Sequence, residues 1–287
     1  INGRSLLIGS HANVMHEGQR ESALSVGYLS GMKVSVGKLE LQYARTDGAV
    51  ADLAIQGAPM GSTVQESRPF DGMNILRQRV RDKRIDAVTV SRAYRTMDEA
   101  LLDEMGRAGK LALDPGTKDR LYAHLRLLTA KEALSALRDK LTIGHAQGPI
   151  DLIEVTDLGA QVSTYKTNML LFERDAPPEV NTYQRVFQGE DVNFMRSLVG
   201  TVEQRRSPDL AIAPREWWEL SLAALEKLRA VEMYSLELIT QNTDANTRDA
   251  EFRLIMVLAA LLGVVGAVTI MGILITRGVR GTVEQVG

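Results

Sequence analysis

The sequence predicts an all-α fold, long helices packed as a bundle and followed by one membrane-spanning helix. Three observations carry this. Aromatic residues make up only 5% of the 287 residues, whereas sheets draw heavily on aromatic and β-branched side chains. All eight prolines fall between stretches of strong helix formers, which is where proline belongs, because it cannot sit inside a helix without breaking it. Finally, Leu254–Ile275 runs for 22 residues without a charge.

The prolines mark the joints: Pro59, Pro69, Pro115, Pro149, Pro177, Pro178, Pro208 and Pro214. Between them the helices are expected at roughly 3–30, 33–55, 70–112, 117–147, 150–174, 179–206 and 215–280. Residues 56–69, rich in Gly, Ser and Pro, form the longest expected loop. Asp114-Pro115-Gly116 and Gly148-Pro149 read as tight breaks. In the last helix Trp218, Leu222, Leu225, Leu228 and Val231 step by 4, 3, 3 and 3, which aligns them on one face. No internal repeat or low-complexity tract interrupts the pattern.

At 1.5 Å per residue the apolar run Leu254–Ile275 reaches roughly 33 Å, enough to cross a hydrocarbon core of about 30 Å. Ala259, Gly263 and Ala267 put small residues on one stripe of it, a face on which two such helices can approach closely. Arg277 and Arg280 favour a cytoplasmic C-terminus, against Arg248 and Arg253 on the other side. The expected division is an extracytoplasmic helical domain at 1–250, a transmembrane helix at 251–276 and the start of a cytoplasmic linker at 277–287. An earlier span, upstream of Ile1, is expected to carry the first domain outside.

Composition excludes several functions. The net charge of −2 lacks the basic excess that neutralises nucleic-acid phosphates. There is no cysteine, hence no disulfide framework and no thiolate metal site. His16-Glu17 begins like a zinc-protease helix, but Arg20 stands where the second histidine belongs. His11, His124 and His145 have no second histidine at ligand spacing. No phosphate-binding glycine loop and no nucleophile elbow are present. No catalytic residue, metal or cofactor is expected.

Basic residues are the conspicuous feature. Arg77, Arg79, Arg81, Lys83 and Arg84 crowd eight positions, with Arg77, Arg81 and Arg84 on one face. Two readings stand: a solvated face paired with Asp82 and Asp86, or an anion site.

A series of short motifs resembles one family. His16-Glu17-Gly18-Gln19-Arg20-Glu21-Ser22-Ala23-Leu24-Ser25 resembles the opening motif of the nitrate- and nitrite-sensing (NIT) domain, approximately H-E-L-Q-K-E-R-G-x-S. Leu41-Gln42 with Thr46-Asp47, Arg77 with Val80 and Tyr94, Ala130-Lys131-Glu132 with Arg138, and Trp217-Trp218 with Leu228-Arg229-Ala230-Val231-Glu232 resemble its later motifs. They run in order over about residues 10–245. The resemblance implies two stacked four-helix bundles sharing long helices, outside the membrane in chemoreceptors, histidine kinases and cyclases or attached to soluble antiterminators, with arginines of the first and last long helices holding a small anion. Thr276–Gly287 resembles the opening of a HAMP linker without its usual proline.

This chain departs from the family pattern at Ser22, where the motif has arginine, at Ala23, where it has glycine, and at Tyr43, where it has arginine. Arg20 does not substitute for the lost arginine, because two residues turn a helix by about 200°. Gln19 and Ser25 share the Ser22 face. The candidate ligand residues are therefore Arg229, Arg138, Ser22, Gln19 and Ser25. Arg229 has Glu226 and Glu232 at helical pairing distance. Arg138 has Asp139 beside it but on another face, so a solvated Arg138 is the competing reading.

The expectation is a homodimeric receptor in the bacterial inner membrane, joined through its bundle and transmembrane helix. It would sense nitrate, nitrite or a similar anion, bind no nucleic acid and drive a cytoplasmic output domain beyond Gly287. Two alternatives stay open: the same fold with another small solute, suited to Ser22 and Tyr43, or a periplasmic protein-interaction module without a small ligand.

Overall fold

Helix α1 (Asn2–Leu29) runs down the centre, and helices pack around it. Its amphipathicity is weak because it is enclosed: along 11–26 most side chains are buried, charged ones included. A helix buried on all faces has no single apolar stripe.

In this computed structural model the described residues are 2–57, 70, 72–110, 115–147, 152–204, 216 and 218–241. Among them all regular structure is helical: α1, α2 (Val36–Gly57), α3 (Met73–Arg81), α4 (Ala87–Lys110), α5 (Pro115–Gln147), α6 (Leu152–Asp175), α7 (Pro177–Val186), α8 (Glu190–Glu203) and α9 (218–241). Among the described residues no helix is long and apolar enough to cross a membrane. The expected span Leu254–Ile275, the break Gly148-Pro149, Asp114 and residues 58–69 of the expected loop 56–69 lie outside the described residues, whereas 56–57 end α2 and Pro115-Gly116 open α5. The chain divides into a unit Ile1–Thr240, to which all of the following belongs, and a unit Gln241–Gly287.

Cross-helix bonds give the directions. Gln42 Nε2 donates to the Glu17 carboxylate at 2.6 Å, so α2 folds back antiparallel on α1. Ser22 bonds Asp139 and His16 lies against Lys131, so α5 runs parallel to α1. Gly27 faces Trp218 while Asn13 bonds Arg229, so α9 is antiparallel to α1. Helices α1, α2, α4 and α5 form one group. The second is α5, α6, α8 and α9, in which Lys227 of α9 reaches Asp191 at the start of α8 at 2.6 Å. Helix α5, 33 residues and about 50 Å long, serves both.

The expected helices 70–112 and 179–206 are each broken in two. Between α3 and α4 the chain turns through Lys83 with φ 52°, and Asp86 restarts the helix. Asp86 accepts from the Thr89 N–H at 2.7 Å and the Thr89 hydroxyl at 2.8 Å, satisfying donors that a helix start leaves open. These bonds hold its carboxyl below the usual value. Between α7 and α8, Gly189 adopts φ 115°, a conformation open to glycine. Pro177 opens α7 two residues earlier than expected, because proline fits the first helical turn.

Two glycines let helices close on α1. A Cβ at Gly18 would meet the tip of Met97, a flexible side chain, and one at Gly27 would lie 3.1 Å from the rigid indole of Trp218. Gly18→Ala is therefore expected to stay within about 1 kcal/mol of the wild type, since the helix-propensity gain offsets a small shift of Met97. Gly27→Val should destabilise by about 1–3 kcal/mol through overpacking. Urea unfolding of both variants checks the contrast.

Candidate functional site

Among the described residues three clusters of buried charge gather on α1, apart from the pairs Arg120–Glu179 and Lys227–Asp191. In the first, Arg77 of α3 binds Glu21 of α1 with both arms, at 2.8 and 2.9 Å, and Asp47 of α2 at 2.6 Å. The Tyr94 hydroxyl of α4 donates to the same Glu21. The guanidinium lies 4.8 Å above the Tyr43 ring. Burial lowers the Arg77 pKa, but Glu21 and Asp47 outweigh it and leave it raised. The solvated reading of Arg77 is thus corrected: it is buried, and two carboxylates occupy its fork. Arg81 meets Glu40 at 2.7 Å, and only Arg84 remains beside Asp82, at 4.0 Å.

The second cluster contains three of the expected ligand residues. Arg138 is buried and binds Asp139 through Nε and Nη2, at 3.0 and 2.8 Å. It also donates to the Gln19 carbonyl at 3.2 Å and the Ser135 hydroxyl at 2.8 Å. Ser22 donates to the other Asp139 oxygen at 2.6 Å. The expectation that Asp139 points away from Arg138 is overturned. Adjacent residues diverge by about 100° around a helix, but both side chains are long enough to meet above the α1–α5 contact. Ser25 is buried elsewhere, near the hydroxyl of Tyr43.

The third cluster contains Arg229 and joins α1, α5 and α9. Arg229 donates to the Ala12 carbonyl at 3.3 Å, to Asn13 at 2.9 Å and to Glu232. Lys131 donates to the other oxygen of Glu232 at 2.7 Å and lies 3.1 Å from His16 Nδ1. Glu232 and Lys131 are buried, and Arg229 is nearly so. At the rim Arg20 pairs with Glu226 at 3.0 Å. Two interior cations therefore share one interior carboxylate. Burial raises the Glu232 pKa, but Lys131 and Arg229 prevail and hold it below the usual carboxylate value. Burial, then Lys131, Arg229 and Arg20, hold His16 far below the usual histidine value. His124 is pushed down to about 4 by burial, against the opposing pull of Glu232, and neither of its ring nitrogens has a hydrogen-bond partner.

Arg229 and Ser22 are thus not brought together. Asn13 and Ser22 are nine residues apart on α1, about 14 Å. Lys131, Glu232, His16 and His124 were not among the candidate ligand residues, although the first three stand in the motifs that resemble the family. A signal was present: His124, Lys131 and Arg138 recur every seven residues on α5, which places three basic groups on one stripe. Among the described residues no group of three His, Cys, Asp or Glu side chains could hold a metal ion.

An all-helical bundle threaded by buried, partly compensated charges at the junction of its longest helices defines the class. The chain belongs to the NIT family, nitrate and nitrite sensing, whose profile matches residues 13–237; this is a family of signalling, non-catalytic sensor domains. A solved structure of the NasR transcription antiterminator has the same fold, with a TM-score of 0.76 and 20% identity, over 85% of this chain and 69% of that one. No curated protein matches with comparable significance.

Proposed function

We propose that this chain is the sensing part of a bacterial membrane receptor, and that it binds nitrate, nitrite or a similar small anion among α1, α5 and α9 at Lys131 and Arg229. The observation that carries the reading is the charge count of the third cluster: two interior cations facing one interior carboxylate. An unbalanced interior charge is costly, and an anion offsets it. The planar Arg229 guanidinium suits a planar anion, and Lys131 supplies a point charge. The family match over 13–237 supports the ligand class.

The membrane role rests on the apolar sequence Leu254–Ile275. In this reading 1–250 lies outside the inner membrane, the receptor is a homodimer and a cytoplasmic output follows. A shift of α9 is then the signal, which requires the two helix settings to bind the anion unequally.

Nitrate has four heavy atoms, so its binding cannot much exceed about 6 kcal/mol, or roughly 40 μM. Thermal unfolding in about 4 mM nitrate, against chloride at equal ionic strength, should show about 2.7 kcal/mol of stabilisation, roughly 5–10 °C in Tm. A second reading is favoured by the second cluster, where Asp139 already occupies Arg138 and Ser22: the same fold sensing a neutral or cationic solute. Equal Tm in nitrate and chloride would discard the anion in favour of that reading.

A further inference from the structure

Three buried carboxylates meet on the α4 side of α1. Asp98 of α4 and Glu132 and Asp139 of α5 line a cavity of about 10 Å³ together with Gln19, Ser22 and Ser135, room for about one water molecule. Of the three carboxylates only Asp139 has a buried cation of its own among the described residues. Arg138 is committed to Asp139. Lys131 is turned to Glu232 at 2.7 Å. Arg95 lies 3.9 Å from Glu132 but 3.2 Å from Glu99, and is partly exposed. Lys140 is a further positive neighbour of Glu132. Glu21, the carboxylate that α1 contributes nearby, is held by Arg77 and Tyr94. Asp98 has no cation at ion-pair distance among the described residues. Its Oδ1 and both polar atoms of the Gln19 amide lack a well-formed hydrogen bond.

Two buried carboxylates at one cavity with no cation between them cannot both be charged without strong repulsion. We propose that Asp98 and Glu132 bind a proton between them, and that this proton is a latch holding α4 against α1 and α5. With the proton in place, one carboxyl can donate to the other across the helix contact. Without it, Asp98 on α4 faces Glu132 and Asp139 on α5 as like charges, and the contact loosens. Asp139 also holds Ser22 and Arg138, so the latch reaches the second cluster. Its groups differ from those proposed to hold the anion, although the Lys131 charge also bears on Asp98.

The electrostatics agree with the geometry. Burial, then the charge of Glu132, pushes Asp98 well above the usual carboxylate value, and burial pushes Glu132 up to about 7. Arg95 and Lys140 pull Glu132 down, and Glu99 and Asp139 push it up. A carboxyl whose folded value is raised stabilises fully below its unfolded value, near 4.5. For Glu132 that stability is lost progressively as pH rises to about 7, and for Asp98 the loss continues toward its own raised value.

The test is amide hydrogen exchange of α4 in the whole chain, corrected for the intrinsic pH dependence of exchange. The opening constant should rise up to about tenfold per pH unit, hence up to about 30-fold between pH 5.5 and 7. Loss of that dependence in either isosteric variant, Asp98→Asn or Glu132→Gln, supports the latch. A flat wild-type profile, or full dependence retained in both variants, overturns it. The wild type also provides a test free of substitution: an infrared band of a protonated carboxylic acid at pH 6 that fades toward pH 8. Its absence likewise overturns the proposal.

Discussion

Replacing Lys131 by methionine is expected to abolish most of the nitrate response while leaving the protein folded. A charge-assisted hydrogen bond contributes about 1.5–3 kcal/mol, so affinity should fall by roughly 10- to 150-fold. The stabilisation in about 4 mM nitrate should then fall from about 2.7 to roughly 0.3–1.4 kcal/mol. Stability without nitrate should change little, because Lys131→Met leaves Glu232 paired with Arg229 and removes the surplus charge. The partner substitution should act in the opposite sense. Glu232→Gln leaves two interior cations without their carboxylate, so the variant should be less stable in water and gain more from nitrate than the wild type does. Titration calorimetry with nitrate on both variants measures the two effects. If Glu232→Gln weakened nitrate binding instead, the carboxylate would not be competing with the anion, and the third cluster would not be the site.

Arg77→Met should be the most damaging single substitution for stability. It strands Glu21, which is fully buried, beside the Tyr94 hydroxyl alone. Removing one partner of a buried ion pair costs about 3–5 kcal/mol, which corresponds to a Tm drop of roughly 6–20 °C. Adding Glu21→Gln should recover much of the loss, since a neutral amide costs far less to bury than a charge. Thermal and urea unfolding of the two variants give the comparison. Equal losses in the single and double variants would show that packing around Tyr43, rather than charge, explains the damage.

The helices were largely legible because proline and apolar periodicity act locally. Pro115 and Pro177 begin helices, and Trp218, Leu225, Leu228 and Val231 of the expected stripe are all buried. The missed breaks have local causes of a subtler kind. Neither Asp82–Asp86 nor Phe187–Gly189 contains a proline, and each turn depends on one residue with positive φ, Lys83 or Gly189.

The candidate site was half legible. Gln19, Ser22 and Arg138 do meet, and Arg229 does pair with Glu232. The sequence could not say that Arg138 and Arg77 are buried, nor that Lys131 belongs with Arg229. Their partners stand far away in the chain: Glu21 is 56 residues from Arg77 and Glu232 is 101 from Lys131.

By itself, then, the sequence determined the all-helical class, the positions of most helices, the apolar faces and the family resemblance, since each is set by residues within a few turns of one another. Only the tertiary structure decided which charges are neutralised and which are left in surplus. That follows from the physics of ionic groups. A charge on a helix surface is solvated whatever its neighbours in sequence, but once buried its state depends on what lies within about 4 Å in a medium of low dielectric constant. In this fold those neighbours come from different helices, α1 to α4 around Arg77 and α1, α5 and α9 around Lys131, which the chain brings together only when it folds.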